Sequence, residues 1–379
     1  MRIVQFSDTF LPVVDGVGTV VYQYALNLVQ KGHECYVVAP QTNTGYRGGW
    51  PFELVDYLGV PLPHMSSYSL GFPRLDHHCR KRLKMITADI VHVHSPFVAG
   101  QAGVAWAKKR GVPVVGTFHS KYYDDFLQIT GVELMAQAGV RYVVDFYEKC
   151  DEVWAVTESS ADTLRDYGYQ GPLRVMPNGG NLVPPLPPGA AEAVSERFGL
   201  GDGPVLLYVG QMNWKKNIRC ILDAVAQVDE KLNFRLVLAG QGPHEAEIRK
   251  HAAELGLTNR TVCTGHIQDP EILNGLYARA DLFLFPSLYD NGPLVIREAA
   301  AMGTPTVTIR GCSAAECIRD GENGLLCAGD SADLARVVSA ALADRDGLRV
   351  IGERARETIP IPWSTLLDDV LERYRKLIK

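Results

Sequence analysis

The chain has 379 residues, of which 46% are hydrophobic and 21% are charged, and its formal net charge is -5. This length predicts two domains, because a single hydrophobic core rarely grows beyond roughly 250 to 300 residues. The acidic balance argues against nucleic acid as a partner, since neutralising phosphates needs a dominant basic face.

Short apolar strands alternate with helical stretches through the first half of the sequence. Because the first strand begins directly after Met1, we expect no secretory leader and a cytoplasmic protein. No apolar run approaches the ~20 residues that a membrane-spanning helix needs. The alternation predicts a parallel sheet covered on both faces, as in a Rossmann-like domain. The predicted elements are strands at 2–6, 34–39, 89–94 and 113–118 and helices at 19–31 and 101–109.

A second α/β series follows, with strands at 205–209, 235–239, 261–264 and 282–285 and helices at 217–228 and 245–254. Between the two series, the prolines of 181–189 stiffen an extended connection. The predicted organisation is therefore a Rossmann-like domain at 1–180, a proline-rich linker at 181–189 and a second Rossmann-like domain at 190–360. Segment 361–379 reads as a closing amphipathic helix, with packing against the first domain as one arrangement open to it.

Neither the cysteines nor the acidic residues indicate a metal site. The eight cysteines are dispersed, without a Cys-x-x-Cys pair, which favours reduced and mostly buried thiols. No Asp-x-Asp motif occupies a metal-holding position between strands. Neither pattern predicts a required metal.

A glycine loop, Gly16-Val17-Gly18, precedes the first predicted helix. Free backbone amides at a helix N-terminus suit a phosphate or a developing anion, whereas a tight turn made for packing explains the same pattern. Both interpretations stay open on the residues alone. The spacing departs from Gly-x-Gly-x-x-Gly, which argues against a dinucleotide-dependent dehydrogenase.

The second domain carries matching loops after its strands. Gly210 and Gln211 follow one strand, and Gly240 and Gly242 follow the next. Open parallel sheets bind ligands outside the carboxyl ends of their strands. Lys216 in the first of these loops is either a cation for a diphosphate or a solvated side chain.

The stretch 286–305 is dense in glycine and proline. Pro293 suits the first turn of a helix, which places Asp290 in the preceding loop and Glu298 within the helix. Such acidic groups often only complement the helix dipole. Glu298 lies too far into the helix for that role, so a constrained site is the competing interpretation.

These motifs together resemble glycosyltransferase family 4, the retaining GT-B enzymes, over essentially the whole chain. The resemblance implies an α/β fold with two Rossmann-like domains that face a central cleft. The matching residues are Phe10-Leu11-Pro12, Gly16-Val17-Gly18, Gly32-His33, Asp89-Ile90-Val91-His92-Val93-His94, Thr117-Phe118-His119, Pro177-Asn178-Gly179, Val209-Gly210, Lys216-Asn217, Gly240-Gln241-Gly242-Pro243 and Glu298-Ala299.

The resemblance also implies the roles of individual residues. His119, Asp290 and Glu298 match the catalytic positions, with the acidic pair holding the donor sugar and its ribose. The family usually has glutamate where Asp290 stands and arginine where Gln211 stands. No cofactor is implied beyond a nucleotide-sugar co-substrate. The donor-binding residues carried over are Gly16, Val17, Gly18, Gly210, Gln211, Lys215, Lys216, Gly240, Gly242, His266, Ile267, Asn291, Gly292, Pro293, Leu294 and Glu298.

Within the family, the segments 94–97 and 118–125 look most like bacterial diacylglycerol glucosyltransferases. This implies transfer of a hexose, with UDP-glucose as the favoured donor, to a membrane lipid such as diacylglycerol. The basic cluster 77–84 then either contacts anionic headgroups at the inner face of the membrane or is a solvated helix face. Three alternatives remain: a lipid-linked or soluble acceptor, a nucleotide-sugar epimerase, and a non-catalytic sugar-binding module.

Overall fold

A computed structural model describes residues 1–12, 15–41, 49–62, 65–180 and 186–378. The chain divides into two compact units. Unit 1 consists of Met1–Asn178 with Trp363–Lys379, and unit 2 is Gly179–Pro362. Most of the predicted linker, 181–185, lies outside the described residues, as does Lys379 at the end of the closing segment. The domain boundaries and the central cleft stay predictions.

Unit 1 is built on a sheet that is parallel except at one edge. In the described residues its strand order is β4-β3-β2-β1-β5-β6-β7-β8, and only the β3 and β4 pair is antiparallel. The edge hairpin was not predicted from the sequence. The strands are β1 (Arg2–Phe6), β2 (Glu34–Gln41), β3 (Glu53–Leu62), β4 (Met65–Gly71), β5 (Ile90–Val93), β6 (Val114–Phe118), β7 (Glu152–Ala155) and β8 (Leu173–Val175).

Helices cover this sheet and bury its central strands. All four residues of β5 and all five of β6 are buried. Burial on both faces accounts for their nearly continuous apolar sequence, which had marked them as parallel strands. The helices are α1 (Gly16–Gln30), α2 (His77–Met85), α3 (Val98–Lys108), α4 (Tyr122–Thr130), α5 (Glu133–Tyr147) and α6 (Glu158–Asp166).

Unit 2 has its own parallel sheet, with the strand order β11-β10-β9-β12-β13-β14 in the described residues. The central strand β9 pairs with β10 and β12. The strands are β9 (Val205–Val209), β10 (Arg235–Ala239), β11 (Thr261–Gly265), β12 (Leu282–Leu284), β13 (Thr306–Ile309) and β14 (Leu325–Cys327). The helices are α7 (Ala190–Phe198), α8 (Ile218–Val225), α9 (Glu245–Glu254), α10 (Pro270–Arg279), α11 (Leu294–Ala301), α12 (Ser331–Ala343) and α13 (Arg345–Thr358).

The last helix, α14 (Trp363–Leu377), packs on unit 1. Its apolar face is buried, and Tyr374 places its hydroxyl 2.6 Å from Nδ1 of His92. At the helix surface, Lys31 Nζ lies 2.6 Å from Asp368 Oδ1, and Arg373 pairs with the buried Glu152. The helical spacing of apolar residues in this segment thus corresponds to a buried face.

Two further findings concern membrane-spanning helices and the cysteines. Within the described ranges, no helix combines the length and the apolar character that crossing a membrane requires. All eight cysteines are free thiols, six of them buried and the other two, Cys263 and Cys317, partly buried. The prediction that most cysteines are buried is confirmed, and their reduced state stays a prediction.

Candidate functional site

Two glycines of unit 2 that directly follow strands are hydrogen bonded to the ends of the neighbouring strands at the carboxyl edge of the sheet. The Gly210 N–H donates to the Ala239 carbonyl at 3.0 Å, and the Gly240 N–H donates to the Gly265 carbonyl at 2.9 Å. His266 and Ile267 directly follow Gly265. The loops after β9 and β10 therefore begin side by side at this edge, where a parallel sheet presents its ligand site.

This surface requires glycine because backbone packs directly on backbone. At Gly240, which has φ 143°, an added Cβ would stand 1.9 Å from the Gly210 carbonyl oxygen. At Gly242 it would stand 2.5 Å from the Met212 carbonyl oxygen. Neither position accepts a side chain without movement of the neighbouring loop, so the predicted importance of these glycines has a steric reason.

Lys216 and Asp290 form an ion pair across two loops of unit 2. Lys216 Nζ lies 2.5 Å from Asp290 Oδ1, and the two side chains are 16% and 19% exposed. Ser287 donates its hydroxyl to the other carboxylate oxygen of Asp290 at 2.5 Å. Asn217, in a left-handed conformation with φ 59°, donates its side-chain amide to the Pro286 carbonyl at 3.1 Å. The structure thus pairs Lys216, the predicted diphosphate-binding cation, with Asp290, one of the two predicted donor-binding acids.

Lys215 and Lys216 both lie close to the aromatic ring of Tyr289. Its Nζ lies 4.8 Å from the ring centroid of Tyr289, and that of Lys216 lies 5.1 Å from the same ring. An aromatic face attracts a cation, so Tyr289 helps to keep both ammonium groups together.

Glu298 lies in the middle of α11, which begins after Pro293 in the N-cap position. Tyr277 on α10 donates its buried hydroxyl to Glu298 Oε2 at 3.1 Å. Burial raises the pKa of Glu298, while the Tyr277 hydrogen bond acts in the opposite direction. The carboxyl group is therefore oriented by a partner on another helix. The other predicted donor residues here, Asn291, Gly292, Pro293 and Leu294, are partly buried.

His119 lies at the end of β6 in unit 1 and is buried. Its Nε2 is 3.4 Å from Nδ1 of His94, and the two rings stack with centroids 5.6 Å apart. Burial lowers the pKa of His119 to about 3. His119 is therefore neutral at physiological pH, and its nearest described ring partner is His94.

The N-terminus of α1 is already capped by a carboxylate. Asp15 accepts a hydrogen bond from the Gly18 N–H at 2.6 Å and from the Thr9 hydroxyl at 3.2 Å. Burial raises the pKa of Asp15, and the Gly18 hydrogen bond partly offsets that rise. The predicted anion site at Gly16, Val17 and Gly18 thus has one amide engaged and a negative group beside it.

Two protein-family models account for most of the sequence. Residues 14–182 match the model described as Glycosyltransferase Family 4, and residues 192–358 match the model described as Glycosyl transferases group 1. The first covers much of unit 1, and the second covers the sheet of unit 2 with its glycine loops.

Curated relatives agree with these models over long alignments. A D-inositol 3-phosphate glycosyltransferase of Nocardiopsis dassonvillei is 30% identical over 76% of this chain and 70% of its own length. The chain belongs to glycosyltransferase family 4. An alpha-monoglucosyldiacylglycerol synthase of Streptococcus pneumoniae is 28% identical over 90% of this chain and 78% of its own length. A GDP-mannose-dependent alpha-mannosyltransferase of Corynebacterium glutamicum is 25% identical over all of this chain and 89% of its own length.

The fold agrees with the family as well. The crystal structure of Anabaena HepE in complex with UDP-glucose superposes with a TM-score of 0.79 at 19% identity, and all of both chains is covered. At that identity the likeness concerns the fold alone. The α/β architecture with two Rossmann-like units is that of the GT-B glycosyltransferases, as the family resemblance had implied.

Three residues of this family 4 chain position the predicted site and were not singled out from the sequence. Asp15, Tyr277 and Ser287 each hydrogen bond to a predicted residue. Asp15 carried a usable signal, because an aspartate directly before a helix is a common N-cap. The partners of the other two follow only from tertiary packing.

In the described residues, no group of three or more His, Cys, Asp or Glu is arranged to hold a metal ion. The expected independence from metal stays a prediction, as do the roles of all the site residues.

Proposed function

We propose that this glycosyltransferase transfers glucose from UDP-glucose to a membrane lipid such as diacylglycerol, with retention of the anomeric configuration. The observation that carries the donor half of the proposal is the Lys216 and Asp290 pair beside the glycine loops of unit 2. At the carboxyl edge of the sheet, this pair offers a cation for a diphosphate and a carboxylate for sugar hydroxyls.

The residues of unit 2 act in the proposed reaction by holding charge and orientation. Lys216, assisted by Lys215, stabilises the negative charge that develops on the leaving diphosphate. One well-placed contact of this kind contributes on the order of 3 kcal/mol to the barrier. Asp290 accepts hydrogen bonds from sugar hydroxyls, and Glu298, oriented by Tyr277, accepts them from the ribose. His119 in unit 1 contacts the donor sugar or the acceptor.

The lipid acceptor is supported by the name of the pneumococcal relative, a monoglucosyldiacylglycerol synthase. Helix α2 supports it independently, because its sequence carries four Lys and Arg residues and no acid. Such a helix is suited to anionic headgroups at a membrane surface. On this basis we propose peripheral contact with an anionic membrane.

A second donor deserves a direct test, because the corynebacterial relative aligned over the whole chain is a GDP-mannose-dependent mannosyltransferase. The glycine loops and the Lys216 and Asp290 pair of this chain would suit either donor, since UDP-glucose and GDP-mannose both contain a diphosphate. Mannose from GDP-mannose is therefore the second candidate.

The deciding experiment offers the purified full chain UDP-glucose or GDP-mannose with diacylglycerol vesicles and analyses the lipid product. We expect glucosyl-diacylglycerol from UDP-glucose, with an α-linkage by NMR that matches an α-linked donor, and much slower formation of this product by the Glu298→Ala variant. A mannosyl product would select the second donor. Sugar release without lipid product would exclude diacylglycerol, and an isomerised nucleotide-sugar would favour an epimerase.

A further inference from the structure

The hairpin of β3 and β4 presents an apolar face to solvent. Val60 lies opposite Leu70 in the antiparallel register, and alternation along the two chain segments places Leu58 and Phe72 beside them. These four side chains, the hairpin face, are between 43% and 61% exposed. The outer face of an antiparallel sheet is normally polar, so four exposed apolar side chains in a row indicate a surface that binds an apolar partner.

The opposite side of the hairpin fixes this orientation. An added Cβ at Gly71 would stand 2.8 Å from Cε2 of the buried Tyr57, and one at Gly59 would stand 2.9 Å from Cβ of Pro40. The two glycines thus let the hairpin backbone pack closely on the rest of unit 1. A register shift of one residue would place large side chains where only glycine fits, so the hairpin face is held outward.

The hairpin continues past the sheet at its carboxyl edge. The last pair between β2 and β3 joins Gln41 to Leu58, and β3 continues beyond that pair from Gly59. Strands β2, β1, β5 and β6 are parallel, so this is also the edge at which His119 follows β6. An apolar partner of the hairpin face therefore lies toward the edge that carries His119.

Cations accompany the hairpin face. Segment 57–88 contains five Lys and Arg residues and a single acid, Asp76, although the whole chain has a net charge of -5. The Asp76 carboxylate accepts from the Cys79 N–H at 2.8 Å and from the Leu58 N–H at 3.4 Å, which joins the start of α2 to the base of the hairpin. The exposed cations of this segment are Arg74, Arg80, Lys81 and Lys84.

The combination of charge and apolar surface distinguishes between possible partners. In a symmetric dimer the same surface patch meets its own copy, so the cations of one chain would face those of the other and repel them. An anionic bilayer offers phosphates at its surface and acyl chains beneath them. It therefore matches both the cations and the apolar side chains.

We propose that the hairpin face inserts into an anionic bilayer while the neighbouring cations bind the lipid headgroups. Insertion holds the carboxyl edge of unit 1 at the membrane surface, where a lipid acceptor is reached without leaving the bilayer. The inference rests on the proposed function for the identity of that acceptor, whereas insertion itself requires neither donor nor turnover.

Insertion is located by amide hydrogen exchange of the full chain with phosphatidylglycerol vesicles that contain no diacylglycerol. We expect slower exchange in residues 58–72 than in the protein alone, and unchanged exchange in residues 345–358 of α13. Failure of the wild-type chain to bind these vesicles would overturn the proposal. Unchanged exchange in 58–72 on bound vesicles would also overturn it, without any variant having to fold.

Leu58→Thr with Phe72→Thr tests the apolar contribution, because threonine keeps the strand propensity and removes most of the apolar surface. We expect a vesicle partition coefficient at least about tenfold lower than that of the wild type. The difference should persist at about 0.5 M salt, where screening weakens the attraction of the cations. Thermal unfolding verifies that the variant folds.

Tyr142→Thr with Val350→Thr is the matched control, since it removes two comparably exposed side chains from α5 and α13. It should keep the wild-type partition coefficient. An equal loss in both variants would contradict the proposal, because exposed apolar surface in general would then be responsible. A wild-type dimer in sedimentation that Leu58→Thr with Phe72→Thr dissociates would select a second copy as the partner instead.

Transfer assays separate this inference from the proposed function. With UDP-glucose, Leu58→Thr with Phe72→Thr should match the wild type on a water-soluble short-chain diacylglycerol and be about tenfold slower on vesicles. An equal loss on both acceptors would overturn the insertion role. A wild-type chain that inserts and yet glucosylates neither acceptor would refute the proposed function and leave the insertion standing.

Discussion

Lys216 is held in place by Asp290, whose Oδ1 lies 2.5 Å from the Lys216 ammonium group. The pair is largely shielded from water, so both charges are already oriented and partly desolvated. A diphosphate that approaches Lys216 gains a cation whose side chain has little rotamer freedom left to lose. This arrangement suits a site that must bind an anion and a polyhydroxylated sugar together.

Removal of either Lys216 or Glu298 is expected to lower turnover at least about tenfold, because each variant deletes a charged contact to the donor. Lys216→Ala and Glu298→Ala are assayed by UDP release from UDP-glucose with diacylglycerol vesicles. Thermal unfolding verifies that both variants fold. Lys250→Ala is the control, since Lys250 is 78% exposed in a surface ion pair. Normal turnover in a folded variant would remove that residue from the site.

Gln211 stands where the family usually has arginine, and a substitution at this position tests the effect of that difference. Its side chain is exposed, and its carbonyl oxygen accepts a hydrogen bond from the Tyr208 hydroxyl at 3.0 Å. Because the backbone makes that contact, Gln211→Arg should leave the loop intact and add a cation beside the proposed diphosphate position. We expect equal or tighter binding of UDP-glucose by calorimetry. A large loss of affinity would indicate a specific role for the glutamine amide.

At the scale of elements, α2 combines a buried face with a cationic one. Asp76 caps the helix by accepting from the Cys79 N–H at 2.8 Å, and Cys79 and Leu83 are buried. Arg80 and Lys81 are exposed, and so are the apolar residues around the helix, Leu75 at 77% and Met85 at 58%. The exposed cations are the feature of α2 on which the proposed contact with an anionic membrane rests.

Reversing two of these charges is expected to weaken membrane association. Each cation near an anionic surface contributes about 1 kcal/mol, so Arg80→Glu with Lys81→Glu should lower the vesicle partition coefficient at least about tenfold. Cosedimentation with anionic and zwitterionic vesicles measures it, and added salt should reduce the wild-type binding. Lys231→Glu with Lys250→Glu makes the same change of charge in unit 2. Equal effects from both pairs would show that net charge alone is responsible.

At the scale of the whole molecule, the buried histidines of unit 1 make stability depend on pH. Burial lowers the pKa of His92 and His94 well below the usual value and that of His119 to about 3. The unfolded chain binds protons near pH 6.5 while the folded one does not. The free energy of unfolding therefore falls as the pH falls below about 6.5, and for His119 the loss continues down to about 3.

Each of these histidines should contribute up to about 1.4 kcal/mol per pH unit in that range. The check is urea unfolding at about pH 7 and about pH 5, with His119→Asn for comparison, because asparagine does not titrate. The carboxyls Asp8, Asp15 and Glu298 have raised pKa values and oppose this slope as they protonate. The comparison of slopes between the two proteins isolates His119. Identical slopes would show that it is already protonated or exposed in the folded state.

The sequence indicated the parts of the fold whose signals are local. Buried parallel strands such as β1, β9 and β10 are nearly continuous apolar runs, and their predicted bounds match the structure. The edge hairpin of β3 and β4 was not predicted from the sequence. Glycines between strand and helix located the carboxyl-edge loops of unit 2.

By itself, the sequence determined the α/β class, the family and the residues that carry charge at the proposed site. Only the tertiary structure decided their partners, because hydrogen bonds between distant segments depend on strand order and helix packing. Lys216 meets Asp290 across 74 positions, and Gln5 meets His94 across 89. Asp15 shows the same limit at short range. The sequence predicted an anion site at Gly16, Val17 and Gly18, but in the structure the Asp15 carboxylate accepts a hydrogen bond from the Gly18 amide. The sequence identifies the polar and charged side chains, whereas tertiary packing determines which of them form hydrogen bonds within the protein.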